Sequence, residues 1–448
     1  MGTTKALKLD QSHSLTKKFL LWTLYALLSI AIIHLYLSPI TLPLSPTDHL
    51  PPINPIFTTA AAPTAASSPS QEGERRDNVV GVVPCDYTNG QWVNDKLGPL
   101  YNGTSCGTIK DGQNCMGHGR PDMGYLYWRW RPDQCHLPRF DPNTFLQIMA
   151  NKHIAFVGDS MARNQLESLL CLLATVSAPN LVYTNGEDNK FRRWHFKSHN
   201  VNVSVYWSPF LVKGVEKNGN LGHNKLYLDS VDERWAFELD GMDMVVLSVG
   251  HWFLHPAVYF DGDKVLGCHS CDGENFTEIG FYDVFRRAFE TTLNGIIDRR
   301  KASENALDVM VTTFSPHHFE GAWDKFGACP KTEPYKVGEK RFEGMDFDMR
   351  RIGVEEVEVA RLNAKRFARL RVEALDVTEL SLMRPDGHPG PYMYPFPFAN
   401  GIGERVQNDC VHWCLPGPVD TWNEILLDVM KRWNNQSRSG NVINEMLS

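Results

Sequence analysis

The tripeptide Gly158-Asp159-Ser160 follows an apolar run, Ile154–Val157, and precedes a helical pattern, Ala162–Ala174. A serine at such a junction can be a nucleophile. It is exposed, and the unpaired N–H groups and dipole of the helix start favour a developing oxyanion. It can equally be a helix cap, with Asp159 as the turn former and Gly158 permitting the tight turn. A serine nucleophile needs a base, and "NDCVHWC" at residues 408–414 offers one. Asp409 and His412 stand three apart, so one helical turn would put both on one face. The carboxylate would fix the imidazole tautomer, and the other ring nitrogen could take a serine proton. A capping aspartate and a structural histidine are the alternative reading of that pair. His251, His255, His317, His318 and His388 lie in loop contexts and compete for the base role. They come with no H-x-x-x-H helix and no carboxylate cluster, so no metal centre is expected. No glycine-rich phosphate loop stands between a strand and a helix.

These residues need a scaffold. Met242–Val249, Leu307–Phe314 and Val372–Val377 read as strands beside Ile154–Val157. Phe281–Asp298, Val354–Leu370 and Thr421–Trp433 read as helices. Continuous apolar strands alternating with helices imply a layered α/β fold with a mostly parallel sheet. Ligands in such folds bind beyond the carboxyl ends of the strands. There stand Gly158-Asp159-Ser160, Gly250-His251-Trp252 and Ser315-Pro316-His317-His318. Arg163 and Asn164, one turn into the first helix, are candidates either for acceptor contact or for supporting the site from behind.

The bulk composition is that of a globular protein, 42% hydrophobic and 22% charged. A net charge of −7 without a long basic run argues against a nucleic-acid partner. Residues 19–37 are almost wholly apolar and span roughly 28 Å as a helix, close to a bilayer core. Lys5, Lys8, Lys17 and Lys18 precede them, and the next basic residue is Arg75. This predicts a type II membrane anchor with residues 1–18 cytosolic, rather than a cleaved signal peptide. Residues 38–80, rich in Pro, Ala, Ser and Thr, read as a flexible stem. All ten cysteines follow the anchor: Cys85, Cys106, Cys115, Cys135, Cys171, Cys268, Cys271, Cys329, Cys410 and Cys414. With the sequons at Asn102, Asn202, Asn275 and Asn435, they fit a disulfide-bonded glycoprotein of the secretory lumen. Residues 85–140 read as a Cys-rich, loop-rich segment packed on an α/β domain at 141–436.

The segments "CDYTNGQWV", "CMGHGRPDMGYLYWRWRPDQCHLPRFD", "FVGDSMARNQLESLLCLL", "SVGHWF", "FSPHHFEGAWDKFGAC", "RPDGHPGPY" and "NDCVHWCLPGPVDTWNEIL" occur in this order. Together they resemble the plant trichome-birefringence-like polysaccharide O-acetyltransferases over about residues 85–436. That resemblance implies a three-layer SGNH/GDSL-like fold anchored in the Golgi membrane, and association with Golgi proteins. It implies a Ser160–His412–Asp409 triad that takes an acetyl group from a donor and passes it to a glycan hydroxyl, with no bound cofactor. Gly158, Asp159, Arg163, Asn164, Gly250, His251 and Trp252 become candidates for the oxyanion hole or substrate contacts. Related SGNH enzymes carry an oxyanion-hole Asn where this chain has His251. The resemblance also implies bridges Cys85–Cys135, Cys106–Cys171, Cys115–Cys414 and Cys329–Cys410, with Cys268–Cys271 as a local extra. The segment from Arg384 to Ile425 is most similar to members acting on xyloglucan side chains, with xylan, mannan and pectin as alternative acceptors, and with an acetyl-esterase or a non-catalytic polysaccharide binder as alternative functions.

Overall fold

The computed structural model describes residues 85–447, apart from 186–189, 219–220, 272–274, 302, 304 and 368, with side chains to residue 436. The predicted tail, anchor and stem lie outside the described residues. Among those residues, no helix is long and apolar enough to cross a membrane.

The strands are β1 (Gly90–Asn94), β2 (Trp128–Pro132), β3 (His153–Gly158), β4 (Asn180–Asn185), β5 (Phe191–Phe196), β6 (Val201–Trp207) and β7 (Val212–Val215). They continue with β8 (Asn224–Val231), β9 (Met244–Ser248), β10 (Ala257–Asp261), β11 (Lys264–His269), β12 (Leu307–Thr312) and β13 (Leu370–Leu375). The long helices are α1 (Pro142–Ile148), α2 (Ser160–Ala174), α3 (Tyr282–Arg300), α4 (Gly344–Ala364) and α5 (Val419–Leu447).

The central sheet has seven strands in the order β13-β12-β9-β3-β6-β5-β4. Its first five strands are parallel, and β5 and β4 are antiparallel. A sheet β11-β10-β8-β7, largely antiparallel, stands apart from it. The expectation of a mostly parallel sheet therefore holds for the centre, and the whole is mixed. The physical reason is visible in β3, where all six residues are buried while β4 is exposed throughout. Only strands covered on both faces need continuous apolar runs, so the outer strands lacked that signal.

Two cores sandwich the sheet. Ile154 and Phe156 of β3 face a core that includes Leu166, Leu169 and Leu170 of α2 and Trp422, Ile425 and Leu426 of α5. Ala155 and Val157 face the other, with Phe285 and Phe289 of α3 and Ile352 and Val357 of α4. Alternation along the strand thus builds three layers. α4 begins at Gly344, ten residues before the expected Val354.

The parallel register aligns the strand ends. Gly158 pairs with Ser248, which pairs with Thr312. The segments after β3, β9 and β12 therefore emerge side by side. A Cβ on Gly158 would lie 1.8 Å from the Ser248 carbonyl oxygen, so only glycine lets these two strand ends close up. At the other end of the chain, Trp92 Nε1 of β1 donates to the Leu380 carbonyl at 2.8 Å. Tyr87 Oη donates to Asp428 of α5. The Cys-rich segment is thereby fastened to the back of the helical layer.

Candidate active site

The turn after β3 is organised by Asp159, not by Ser160. Asp159 is the N-cap of α2, and its fully buried carboxylate accepts from two backbone N–H groups. Oδ1 takes that of Met161 at 2.8 Å and Oδ2 that of Gly250 at 3.0 Å. The second bond reaches across to the segment after β9, so one side chain ties two strand ends together. Burial pushes this carboxyl up to about 6 despite both bonds. Ser160 is thus relieved of capping and stands, half-buried, at the first helical position. The first N–H groups of a helix have no partner inside it; Asp159 takes that of Met161, which leaves that of Ser160 for an anionic oxygen.

The candidate base, His412, sits with Asp409 on a loop, not on the helical turn expected from their spacing. Asp409 makes an isolated bridge with Gly390. Its Oδ1 accepts from the N–H groups of Val411 and His412, folding the chain back so that the side chains meet. His412 Nδ1–H then donates to Asp409 Oδ2 at 2.7 Å. His412 Nε2 is buried and has no hydrogen-bond partner in the structure. Burial opposes charge on this ring, but the Asp409 carboxylate outweighs it and holds the imidazole above its ordinary value of 6.5. Asp409 is driven well below the usual carboxylate range: burial works against its charge, and the attraction and hydrogen bond of His412 win.

Asn164 brings the two halves together. Its Oδ1 accepts from the Trp413 N–H at 2.7 Å and its Nδ2 donates to the Trp413 carbonyl at 3.2 Å. It lies four residues beyond Ser160 and so on the same helix face. Of the two readings the sequence left open, acceptor contact or support behind the site, its full burial and its bonds to Trp413 fit the second. His388 adds a second anchor. Its Nδ1–H donates to the His412 carbonyl at 2.7 Å, and its ring stacks on Trp413 with centroids 4.2 Å apart. Trp413 Nε1 donates to Ser315 Oγ at 3.1 Å.

The remaining candidates separate. His251 Nε2–H donates to the Ser315 carbonyl at 2.8 Å, and burial, with His317 nearby, holds the ring neutral, its pKa down at about 3. Its Nδ1 therefore carries a lone pair and cannot donate to an oxyanion. The Gly250 N–H is already committed to Asp159. Arg163 lies over the Trp207 ring at 5.0 Å, and Trp252 meets that ring edge-on. Arg163, Trp207 and Trp252 line a groove of about 900 Å³ with Lys110, Glu167 and Trp194. His318 is buried against His388, so neither is an open base.

Five disulfides link the same pairs that the resemblance implied: 85–135, 106–171, 115–414, 268–271 and 329–410. Cys410 and Cys414 flank His412, so two bridges hold the base loop from either side. Among the described residues, only Cys268, Cys271 and Glu278 come close enough to share a metal ion, and their two sulfurs are joined. Of the sequon asparagines, Asn102, Asn275 and Asn435 are exposed. Asn202 is half-buried within β6, its amide bonded to His195.

A half-buried serine at a helix start and an Asp–His pair on a loop, the two tied together through Asn164 and Trp413, stand at one end of an α/β sandwich; no hydrogen bond joins Ser160 to His412 Nε2 in the structure. The chain belongs to the PC-esterase family, GDSL/SGNH-like acyl-esterases found in Pmr5 and Cas1p, whose model matches residues 137–429. Residues 83–136 match the PMR5 N-terminal domain. The chain is 65% identical to xyloglucan O-acetyltransferase 1 of Populus trichocarpa over 95% of its own length and 96% of that protein's. It is 62% identical to xyloglucan O-acetyltransferase 1 of Arabidopsis thaliana, over 83% of this chain and 86% of the other. To protein trichome birefringence-like 25 of Arabidopsis thaliana it is 40% identical, over 90% and 89% respectively.

Proposed function

We propose that this chain is a xyloglucan O-acetyltransferase that works through an acetyl-Ser160 intermediate. The observation that carries the mechanism is the 2.7 Å Asp409–His412 bond, which leaves His412 Nε2 unpartnered and buried. In the first half-reaction Ser160 Oγ attacks the acetyl carbonyl of the donor, and its proton passes to His412 Nε2. The oxyanion is met by the Ser160 N–H and the helix dipole. The tetrahedral intermediate collapses, and His412 returns the proton to the leaving group. In the second half, a glycan hydroxyl gives its proton to His412 and attacks the acetyl carbonyl. Ser160 departs and recovers the proton. Asp409 stays ionised throughout and stabilises the imidazolium.

The relatives' acceptor supports xyloglucan, and the similarity of the Arg384–Ile425 segment supports its side-chain galactose residues. The predicted anchor and the disulfide framework support residence in the Golgi membrane with the catalytic domain lumenal. The reaction requires an acetyl donor, acetyl-CoA or a carrier derived from it. The test is incubation of the full chain with such a donor and deacetylated xyloglucan. Acetyl groups appearing on galactose support the proposal. Hydrolysis of the donor without transfer would make the protein an esterase, and an active Ser160→Ala variant would refute the serine mechanism.

A further inference from the structure

Two loops beside Asp409 expose more aromatic surface than a soluble domain leaves without use. The loop at 320–329 shows Trp323 and Phe326 at 51% and 59% exposure, and the loop at 390–408 shows Tyr394 and Phe396 at 47% and 62%. Phe326 packs edge-on against Phe398 of the second loop, with centroids 5.5 Å apart. The loops are not loose. Buried Asn408 spends its amide on the carbonyls of Lys325 and Val406, at 2.8 and 2.6 Å, and its backbone N–H on that of Trp323 at 2.8 Å. Tyr394 Oη donates to Gln407 at 2.6 Å. Phe396 rests on Gly119, where a Cβ would meet its ring at 2.7 Å. Rings held out by a rigid frame lose little entropy when something stacks on them.

Their position names the occupant. The first loop ends in Cys329, which is bonded to Cys410; the second pairs through Gly390 with Asp409 itself and runs into it at Asn408. Both ring-bearing loops are therefore fastened directly to the loop that carries Asp409 and His412. A polymeric acceptor extends several sugar units beyond the hydroxyl that reacts and must lie on whatever adjoins His412. Polar groups stand among the rings, with Arg405 over Trp323 at 5.2 Å and paired with Asp324 at 3.7 Å. Aromatic faces for sugar C–H groups, interleaved with donors and acceptors for hydroxyls, suit a neutral glycan better than a purely apolar partner.

We infer that Trp323, Phe326, Tyr394 and Phe396 form a ledge on which the β-glucan main chain of the acceptor lies while one of its side chains enters the Ser160 site. This rests on the acceptor proposed above and goes beyond it, because it assigns where the part of the polymer that does not react is held.

The test uses the full chain in detergent and a Trp323→Ala/Phe326→Ala double variant, with Phe396→Ala as a second variant on the other loop. Binding is read by retardation in native gels containing xyloglucan, in a Ser160→Ala background so that turnover does not alter the glycan. Both variants are expected to lose most of the retardation. In the active background KM for polymeric xyloglucan should rise about tenfold, with kcat at saturating glycan within about a factor of two. Unaltered retardation and KM in both variants would overturn the inference. So would a fall in kcat at constant KM, which would make the rings mere supports of the Asp409 loop. A change in oligomeric state without loss of glycan binding would assign the surface to a second copy instead. If the parent chain binds and acetylates mannan or xylan rather than xyloglucan, the acceptor assignment fails. The ledge then stands if the same variants lose that glycan and falls if they keep it.

Discussion

Asn164 holds Trp413 by both ends of its side-chain amide, one accepting from the backbone N–H and the other donating to the carbonyl. The helix that begins with Ser160 thereby grips the residue next to His412. Replacing Asn164 by Ala would strand two buried backbone groups at a combined cost of about 2–4 kcal/mol. The loop's displacement should lower kcat by roughly 10–100-fold, with a smaller effect on KM. Asn164→Asp keeps the acceptor and loses the donor, and should fall between. Urea unfolding and steady-state kinetics on both variants check this.

The rate should depend on His412 being neutral. Because Asp409 raises the folded imidazole above 6.5, the acylation rate should climb with pH through a midpoint above that value. Asp409→Asn removes the cause, so the midpoint should move down while kcat falls by roughly 10⁴-fold. The pair's contribution to stability has two limits. Asp409's share is complete above its unfolded value of 3.8 and is lost as pH falls through its lower folded value. His412's share is complete below its unfolded 6.5 and is lost as pH rises through its higher folded value. The stability gap between parent and Asp409→Asn should therefore be widest between 3.8 and 6.5 and narrow on either side, as measured by unfolding across pH.

Asp159 has the opposite sign. Its folded carboxyl sits at about 6 against 3.8 unfolded, so it costs stability progressively as pH rises through that window. Asp159→Asn should abolish that pH dependence. It should also weaken catalysis about tenfold, because an amide NH₂ cannot accept from Gly250 and the strand ends would part. Thermal unfolding against pH and kcat at a fixed pH separate the two effects.

His388 can be divided by substitution. His388→Phe keeps a ring on Trp413 and removes the donor to the His412 carbonyl. His388→Ala removes both. The Phe variant should lose about 1–2 kcal/mol of stability through the unpaired carbonyl, and the Ala variant more. Both should lower kcat with little change in KM, read by kinetics on the purified chain.

The Gly158-Asp159-Ser160 turn, the Asp409–His412 pair and the strand ends beside them could be read from the chain because each is a local pattern. Gly-Asp-Ser sits between a strand and a helix, and Asp-x-x-His spans a single turn of some kind. That turn is bent by the Asp409 carboxylate rather than wound as a helix, and spacing alone does not distinguish the two. The role of Asn164 depends on Trp413, 249 residues away. One signal was nonetheless present: a polar amide in the run from Met161 to Leu173 that packs on the core. Asp159 took the cap from Ser160 because it also reaches Gly250, a contact only the folded sheet supplies. The second sheet was harder to read because β7, β8 and β11 alternate with exposed or polar residues and the apolar run of β10 is only four residues long, and the aromatic ledge because its rings come from two loops about 70 residues apart.

Cys115 is joined to Cys414 across 299 residues of chain. A ribosome adding about 5–20 residues per second needs roughly 15–60 s to cover that distance. For that interval Ser160 exists without His412, and Cys115 without its partner. The loop that carries His412 is thus added, and can be locked to Cys115, only long after the Ser160 turn has been made.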